Sequence, residues 1–242
     1  MTKDFPPGAG LGGSSAVGVA LQAAIASWRN ETVDRDELAR RSRSVEVEDL
    51  GVAGGWQDHY AAAFGGALGL AFTDRVAVRP LPLDDTLTAA LERRCVVAYT
   101  GESRISAATI TAVLDAYRER APHVVQALAR MAELARMMAG AIASHALDDL
   151  GELVGEHWTH QRALHPRITT PGIERTLAAA RDAGAIGGKA LGASGGGCVL
   201  AIAREGRERD VRDAMARMAT LVPFAVDRDG AHVERSVQGA PA

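Results

Sequence analysis

The order of apolar and polar positions predicts a chain in which helices alternate with short strands. Residues 16–25 are apolar on nearly every side, which indicates a buried helix, and Ser14 or Ser15 is placed to cap its start. Thr170 and Pro171 mark the start of another helix that continues to about residue 183. Helical spacing predicts further helices over residues 34–47, 56–64, 106–163 with breaks near 120–122 and 147–149, and 207–218.

Short apolar runs bounded by turn residues predict the strands. Residues 67–72 and 76–80 are expected to pair around a turn, and residues 185–191 and 198–203 are expected to pair around a glycine loop. The remaining predicted strands cover residues 94–100, 222–226 and 233–237. This mixture predicts an α+β fold, with a domain boundary near residues 84–94.

Composition excludes several classes of function. The 242 residues carry a net charge of −3, which argues against a nucleic-acid-binding protein or a polybasic membrane patch. No apolar run is long enough to span a bilayer. Cys95 and Cys198 both lie in apolar runs, so we interpret them as reduced core residues of a cytoplasmic protein.

The first candidate site is the glycine-rich segment of residues 7–16, Pro-Gly-Ala-Gly-Leu-Gly-Gly-Ser-Ser-Ala. Glycines let backbone N–H groups approach an anion, and the following helix adds its unpaired N–H groups and positive dipole end. The hydroxyls of Ser14 and Ser15 can contact phosphate oxygens or a magnesium ion. The alternative is a flexible turn with an ordinary serine cap, but the glycines, serines and apolar helix together favour phosphate binding.

The second candidate site is the segment of residues 54–60, Gly-Gly-Trp-Gln-Asp-His-Tyr. Asp58 follows two glycines near a helix start, where it could accept a proton from a substrate hydroxyl. Spacing alone leaves this open against an acidic residue that only interacts with the helix dipole. We interpret His59 as a structural or supporting residue.

The third candidate site covers residues 187–197, where glycines could bring the backbone close to a phosphate or a substrate. Lys189 could neutralise phosphate charge, and the alternative is a glycine-rich hairpin that packs closely against another loop. On its own this segment is a weak indication, and it gains value in combination with the first loop. Arg104 follows a predicted strand and could bind a phosphate or a sugar hydroxyl, or be solvated. His157 and His160 share helical spacing, but no cysteine or carboxylate completes a zinc set with them.

The order of these three glycine-rich segments resembles the GHMP kinases. Residues 7–16 are similar to the nucleotide-phosphate loop of that family, and residues 192–197 are similar to its C-terminal glycine motif. Residues 54–66 resemble a segment of the D-glycero-D-manno-heptose 7-phosphate kinases, Gly-Gly-x-Gln-Asp-Gln-Tyr-Ala-Ala-Ala-Phe-Gly-Gly. The motifs at 99–104 and 184–189 strengthen the likeness to this subgroup.

The resemblance implies a two-domain fold, with a truncated N-terminal α/β domain over residues 1–90 and a helical, ferredoxin-like α+β domain over residues 91–242. It implies a kinase that uses ATP and Mg²⁺, with heptose 7-phosphate as the substrate and its anomeric hydroxyl as the acceptor. Asp58 would be the catalytic aspartate, and Ser14 is predicted as the metal ligand. The residues implied for ATP are Gly8, Gly10, Leu11, Gly12, Gly13, Ser14 and Ser15. Those implied for the substrate are Gly55, Gln57, Gly101, Arg104, Lys189, Gly195 and Gly196.

The chain departs from the family pattern in two ways. Gly13 stands where many relatives carry serine or threonine, which leaves open whether Ser14 or Ser15 binds the metal. Relatives also carry several strands ahead of the phosphate loop. We therefore expect an open sheet edge, exposed apolar surface and little kinase activity, unless a second copy or a partner chain supplies those strands. The alternatives are a fucose-type sugar kinase and an inactive remnant that binds nucleotide or a partner.

Overall fold

The computed structural model describes residues 8–102 and 107–234, and these residues form two compact units. The larger unit contains residues 8–13 and 67–226, and the smaller unit contains residues 14–66 and 227–234. The domain boundary at residue 90 stays a prediction. Within the described residues, no helix is both long enough and apolar enough to cross a membrane.

The smaller unit is built from helices. They are α1 (Gly13–Trp28, which starts in the larger unit), α2 (Arg35–Ser44), a π-helical turn (Val45–Asp49) and α3 (Gln57–Phe64). The Asp34 side chain accepts a hydrogen bond from the Glu37 N–H at 2.8 Å, which caps the start of α2. Tyr60 of α3 is buried, and its hydroxyl donates to Asp36 at 2.7 Å, which joins α3 to α2.

Helix α1 differs from the prediction at its start and on its surface. It begins at Gly13, so Ser14 and Ser15 lie in its first turn, and neither is the capping residue. The described residues cover only the side that carries Ser15, Val19, Ala23 and Ala26, while Leu21 is 50% and Trp28 81% exposed. The prediction of a buried helix is therefore wrong. A run that is apolar on nearly all sides does not indicate which face of the helix will be covered.

The larger unit begins with the predicted strand pair. Strands β1 (Ala67–Phe72) and β2 (Val76–Leu81) are antiparallel, with Ala67 opposite Leu81 and Phe72 opposite Val76. A helix, α4 (Asp85–Arg94), follows where the sequence indicates only a boundary. The Asp84 side chain accepts from the Leu87 N–H at 2.7 Å and caps this helix, a signal that was available in the sequence.

The remaining elements follow the predicted order. They are β3 (Cys95–Tyr99), α5 (Ala107–Arg118), α6 (Pro122–Ala143), α7 (Leu147–Ala163), α8 (Pro171–Asp182), β4 (Ala185–Ala190), β5 (Cys198–Ala203), α9 (Glu208–Ala216) and β6 (Thr220–Val222). Thr170 caps α8 as expected, since its side chain accepts from the Ile173 N–H at 3.2 Å. The predicted α+β class is confirmed.

Strands β4, β5, β3 and β6 form an antiparallel sheet in that order. Helices pack on both faces of the sheet. Val96 and Ala201 belong to one apolar cluster with residues of α8 and α9, and Ile202 belongs to another with residues of α4 and α7. The sheet thereby fixes the ends of β3 and β5, from which the loops of the candidate site extend.

The last two predicted strands are corrected. The strand predicted over residues 222–226 is displaced, because β6 covers Thr220–Val222 and pairs with Val97–Tyr99. Pro223 follows directly, and since proline has no N–H group it cannot donate a further hydrogen bond to the ladder. Val233 and Glu234 are not in a strand, and the rest of the segment predicted over 233–237 lies outside the described residues.

Candidate functional site

The predicted phosphate loop adopts a backbone that requires glycine. Gly8, Gly10 and Gly12 have φ angles of 73°, 74° and 66°, a region that residues with a Cβ rarely adopt. Between the first two, the Ala9 side chain is buried in an apolar cluster with Val97 and Cys198. The loop is therefore anchored by Ala9, while Gly8 and Gly10 on either side are exposed.

Within the larger unit, this loop contacts the segment that connects β4 to β5. The Ala9 carbonyl accepts a hydrogen bond from the Cys198 N–H at 2.8 Å. A Cβ added at Gly10 would lie 2.9 Å from the Leu191 oxygen, and one added at Gly192 would lie 3.1 Å from the Gly10 Cα. The first and third candidate segments thus meet through their backbones, and glycine is what permits the approach.

The end of β3 contacts the same glycine segment. The Gly197 carbonyl accepts from both the N–H and the hydroxyl of Thr100, at 3.0 and 2.8 Å. Gly195 and Gly196 are buried, and the Gly195 N–H donates to the Ile168 carbonyl at 2.8 Å. These contacts support a role for both glycines in shaping the loop, whereas direct substrate contact stays a prediction. Gly101 is exposed with no atom within 4 Å of an added Cβ.

Gln161 of α7 supports this loop and was missed by the sequence analysis. Its side-chain amide donates to the Gly192 carbonyl at 3.2 Å and to the Ser194 hydroxyl at 3.0 Å. Ser194 is buried and has a φ of 67°, which is unusual for a residue with a Cβ. A polar residue at a buried position of a helix was the available signal, but nothing local indicated its partners.

Lys189 of β4 lies in a desolvated environment. Burial lowers the pKa of its amine to about 8. The pKa of His157 falls to about 4, first because of burial and then because of the nearby Lys189 and His160. Among the described residues, no group of His, Cys, Asp and Glu has the arrangement of a metal site. The contact of Lys189 with substrate remains a prediction, and Arg104 lies outside the described residues.

The two cysteines lie in the larger unit, and both are buried and unpaired. Burial raises the pKa of the Cys95 thiol to about 12 and that of the Cys198 thiol to about 11. A nucleophilic cysteine needs the opposite shift. Both residues therefore match the expectation of structural core cysteines.

The smaller unit contains a polar cluster next to Asp58. His59 is buried, and its Nε2 lies 2.9 Å from Glu46 Oε2 and 3.3 Å from the Ser15 hydroxyl. The Ser15 hydroxyl donates to the same Glu46 oxygen at 3.3 Å. The other ring nitrogen of His59, Nδ1, lies 2.9 Å from the Ser42 hydroxyl. Sequence patterns indicate Ser15 and Asp58 but not Glu46 or Ser42.

Asp58 lies in the first turn of α3, and its side chain is exposed together with Gln57 and Gly55. Partial desolvation raises the pKa of the Asp58 carboxyl above its usual range. The nearby His59 opposes this shift, while the Glu46 carboxylate adds to it. A carboxylate with a raised pKa is a better proton acceptor than an ordinary surface aspartate.

Comparisons with known proteins match two parts of the chain to one family. A model of the GHMP kinases N terminal domain matches residues 1–66, and a model of the GHMP kinases C terminal domain matches residues 138–220. The chain is 32% identical over 201 residues to the D-glycero-alpha-D-manno-heptose 7-phosphate kinase of Campylobacter jejuni, covering 81% of this chain and 58% of that protein. It therefore spans less than two thirds of that relative.

Two further matches extend the comparison. The mevalonate kinase of Pyrococcus horikoshii is 32% identical over 241 residues, covering 97% of this chain and 68% of that protein. The crystal structure of a D-glycero-D-manno-heptose 1-phosphate kinase from Bacteroides thetaiotaomicron superposes with a TM-score of 0.74 at 27% identity. That superposition covers 96% of this chain and 65% of the other.

We predict that Gly10→Ala destabilises the larger unit more than Gly206→Ala. Both glycines have positive φ, so each alanine costs roughly 1–2 kcal/mol in backbone strain. Only the Cβ at position 10 meets another atom, the Leu191 oxygen at 2.9 Å, and overpacking of this kind costs roughly 1–3 kcal/mol more. Urea unfolding of both variants measures the difference. Equal losses would mean that the contact between the two glycine segments contributes nothing.

We predict that Lys189→Met is more stable than the unsubstituted chain at pH 8, and that this advantage shrinks as pH rises. The folded-state pKa of about 8 is below the value of about 10.4 expected for an unfolded lysine. Between these values the unfolded chain binds a proton that the folded chain does not. The stability of the unsubstituted chain therefore rises with pH, relative to the Met variant, by up to about 1.4 kcal/mol per pH unit.

Thermal unfolding of both chains between pH 7.5 and pH 10 measures the difference. The control is Lys189→Arg, which keeps its charge across this range and so is expected to be less stable than the unsubstituted chain, increasingly so at higher pH. A constant difference between the lysine and methionine chains would contradict the desolvated environment of Lys189.

Proposed function

Because this chain belongs to the GHMP kinase family, we propose that it transfers the γ-phosphoryl group of ATP to a hydroxyl of a small sugar phosphate. The substrate that we favour is D-glycero-D-manno-heptose 7-phosphate, with its anomeric hydroxyl as the acceptor. The observation that carries the proposal is the glycine loop at residues 8–13, which has positive φ at alternate residues and continues directly into α1.

This loop has the features that a nucleotide phosphate requires. The N–H groups at the start of α1 lack helical partners, and the positive end of the helix dipole favours an anion there. Gly10 and Gly12 leave the backbone free of side chains, so phosphate oxygens can approach it closely. Phosphoryl transfer asks a protein mainly to position groups and neutralise charge, and a backbone loop of this kind does both.

In the proposed reaction, Asp58 accepts the proton of the attacking hydroxyl. Partial desolvation raises the pKa of its carboxyl, which increases its basicity. The exposed amide of Gln57 is adjacent in the chain and available to a polar substrate. We propose these two residues, with Gly55 before them, as the part of the smaller unit that contacts the sugar.

The donor atoms near Asp58 fit the Mg²⁺ that ATP carries. Mg²⁺ binds hard oxygen ligands and usually takes only one or two carboxylates from the protein. The Glu46 carboxylate and the Ser15 hydroxyl lie 3.3 Å apart, and both are oxygen donors of this kind. Bound there, the ion would neutralise charge on the ATP phosphates. Ser14, the predicted metal ligand, is exposed one residue earlier, and its role stays a prediction.

A second candidate substrate comes from the comparisons. The mevalonate kinase of Pyrococcus horikoshii is as similar in identity as the heptose 7-phosphate kinase and covers more of this chain. A fucose-type substrate is the third, since a fucokinase of Arabidopsis thaliana is 27% identical over 209 residues. The proposed cytoplasmic location and the absence of nucleic-acid partners stay predictions.

We predict that Asp58→Asn reduces turnover by about 10²–10⁴-fold and leaves ATP affinity within about twofold. The amide is nearly isosteric but cannot accept the proton, whereas the phosphate loop is unchanged. A coupled assay of ADP release, with ATP, Mg²⁺ and heptose 7-phosphate, mevalonate or fucose, measures turnover. Calorimetry measures ATP binding.

The matched control is Asp49→Asn, an exposed aspartate at the end of the π-helical turn, which should leave turnover unchanged. The 242-residue chain is assayed beside a version extended upstream of Met1. If neither version phosphorylates any of the three substrates although ATP binds, the kinase proposal is wrong and a nucleotide-binding role replaces it.

A further inference from the structure

We propose that His59 is a positioning residue, whose Nε2–H fixes the carboxylate of Glu46 beside the hydroxyl of Ser15. This inference rests on the proposed function, because Glu46 and Ser15 are the oxygen donors that we assign to the Mg²⁺ of ATP. His59 itself would contact neither the ion nor the substrate. Its contribution would be to hold the two donors in one arrangement before the nucleotide binds.

The contacts of the ring converge on one carboxylate oxygen. His59 Nε2 lies 2.9 Å from Glu46 Oε2, and the Ser15 hydroxyl lies 3.3 Å from the same oxygen. The ring is buried, so water does not compete for these contacts. A carboxylate that receives two hydrogen bonds at one oxygen keeps its other oxygen, Oε1, available for a cation.

Counting protons assigns the tautomer. A carboxylate oxygen accepts, so Nε2 carries the hydrogen that the 2.9 Å contact with Glu46 requires. In a neutral ring, Nδ1 then accepts, and the Ser42 hydroxyl at 2.9 Å is its donor. The Ser42 hydroxyl has another acceptor, the Ser15 carbonyl, but at the longer distance of 3.4 Å.

The backbone around the ring is arranged to bring these groups together. A Cβ added at Gly18 of α1 would lie 2.3 Å from the Ser42 hydroxyl, so only glycine lets Ser42 of α2 reach this position. Glu46 lies in a π-helical turn, where the Leu50 N–H bonds the Val45 carbonyl at 3.0 Å. Such turns are rare and frequently occur at functional sites.

A purely structural histidine would fill the same space without ordering Glu46. Two substitutions distinguish a histidine that only fills space from one that orders Glu46. Each of them keeps a nitrogen at the place of only one of the two ring nitrogens. The amide nitrogen of His59→Gln can occupy the place of Nε2 and donate to Glu46. The shorter side chain of His59→Asn can reach only the place of Nδ1, near Ser42, and leaves Glu46 without its donor.

The first measurement determines the tautomer of the His59 ring in the absence of any ligand. Proton–nitrogen correlation NMR of the ¹⁵N-labelled 242-residue chain should show the His59 ring protonated at Nε2, with its signal assigned by its loss in His59→Gln. In Glu46→Gln the Nε2–H signal should shift, because its acceptor is changed. A ring protonated at Nδ1 would overturn the inference, whatever the protein does with ATP.

The second measurement is the Mg²⁺ dependence of ADP binding, by calorimetry, in the unsubstituted chain and both variants. We expect His59→Gln to need no more than about threefold more Mg²⁺, and His59→Asn about 10–100-fold more, as is typical for residues that orient metal ligands. Equal effects in the two variants, with Mg²⁺ dependence intact in the unsubstituted chain, would overturn this inference alone. If ADP binding by the unsubstituted chain does not depend on Mg²⁺, the proposed metal role of Glu46 and Ser15 is overturned as well.

Discussion

The backbone of residues 8–10 lies so close to that of residues 191–198 that the contact points have no room for a side chain. The Cys198 N–H bonds the Ala9 carbonyl, and an added Cβ at Gly10 or Gly192 would collide with the opposite backbone. This constraint explains why glycine recurs in both segments. It also links the sheet to the candidate site, because Cys198 begins β5 and Val97, in the same apolar cluster, belongs to β3.

The smaller unit contains a cluster of polar side chains that are joined to one another by hydrogen bonds. Ser15, Ser42, Glu46 and His59 come from α1, α2, the π-helical turn and α3, so each element of this unit contributes one member. Asp58 precedes His59 in α3, so the buried His59 fixes the backbone next to the proposed base. A buried network of this kind stabilises the structure most when every polar group in it is hydrogen-bonded. The loss of one partner is therefore expected to disturb the others.

The sequence was sufficient for features that depend on local chemistry. The glycine loops, the strand pair at residues 67–81 and the Thr170 cap all rest on residue types that act on their neighbours, and the structure contains each of them. The family resemblance and the α+β class are confirmed. The roles assigned to Asp58, Ser14 and Lys189 stay predictions.

Features that depend on distant partners could not be predicted. Glu46 lies 31 residues from Ser15, and Gln161 lies 31 residues from Gly192, so no local pattern links them. The sequence did not indicate which face of α1 is exposed, because its residues are apolar on nearly every side. The missed helix α4 was avoidable, since Asp84 is an ordinary helix cap. Pro223 disfavours the strand predicted over it, although Pro80 in β2 shows that an edge strand can contain proline.

We propose that the glycine loop of residues 8–13, which packs against residues 191–198 of the same unit, binds the ATP phosphates. Amide hydrogen exchange, measured by mass spectrometry with and without ATP and Mg²⁺, tests this most directly. Slower exchange is expected in residues 8–13, and to a smaller extent in residues 192–197 because they pack against this loop. Unchanged exchange in residues 8–13 while ATP is bound would contradict the proposal.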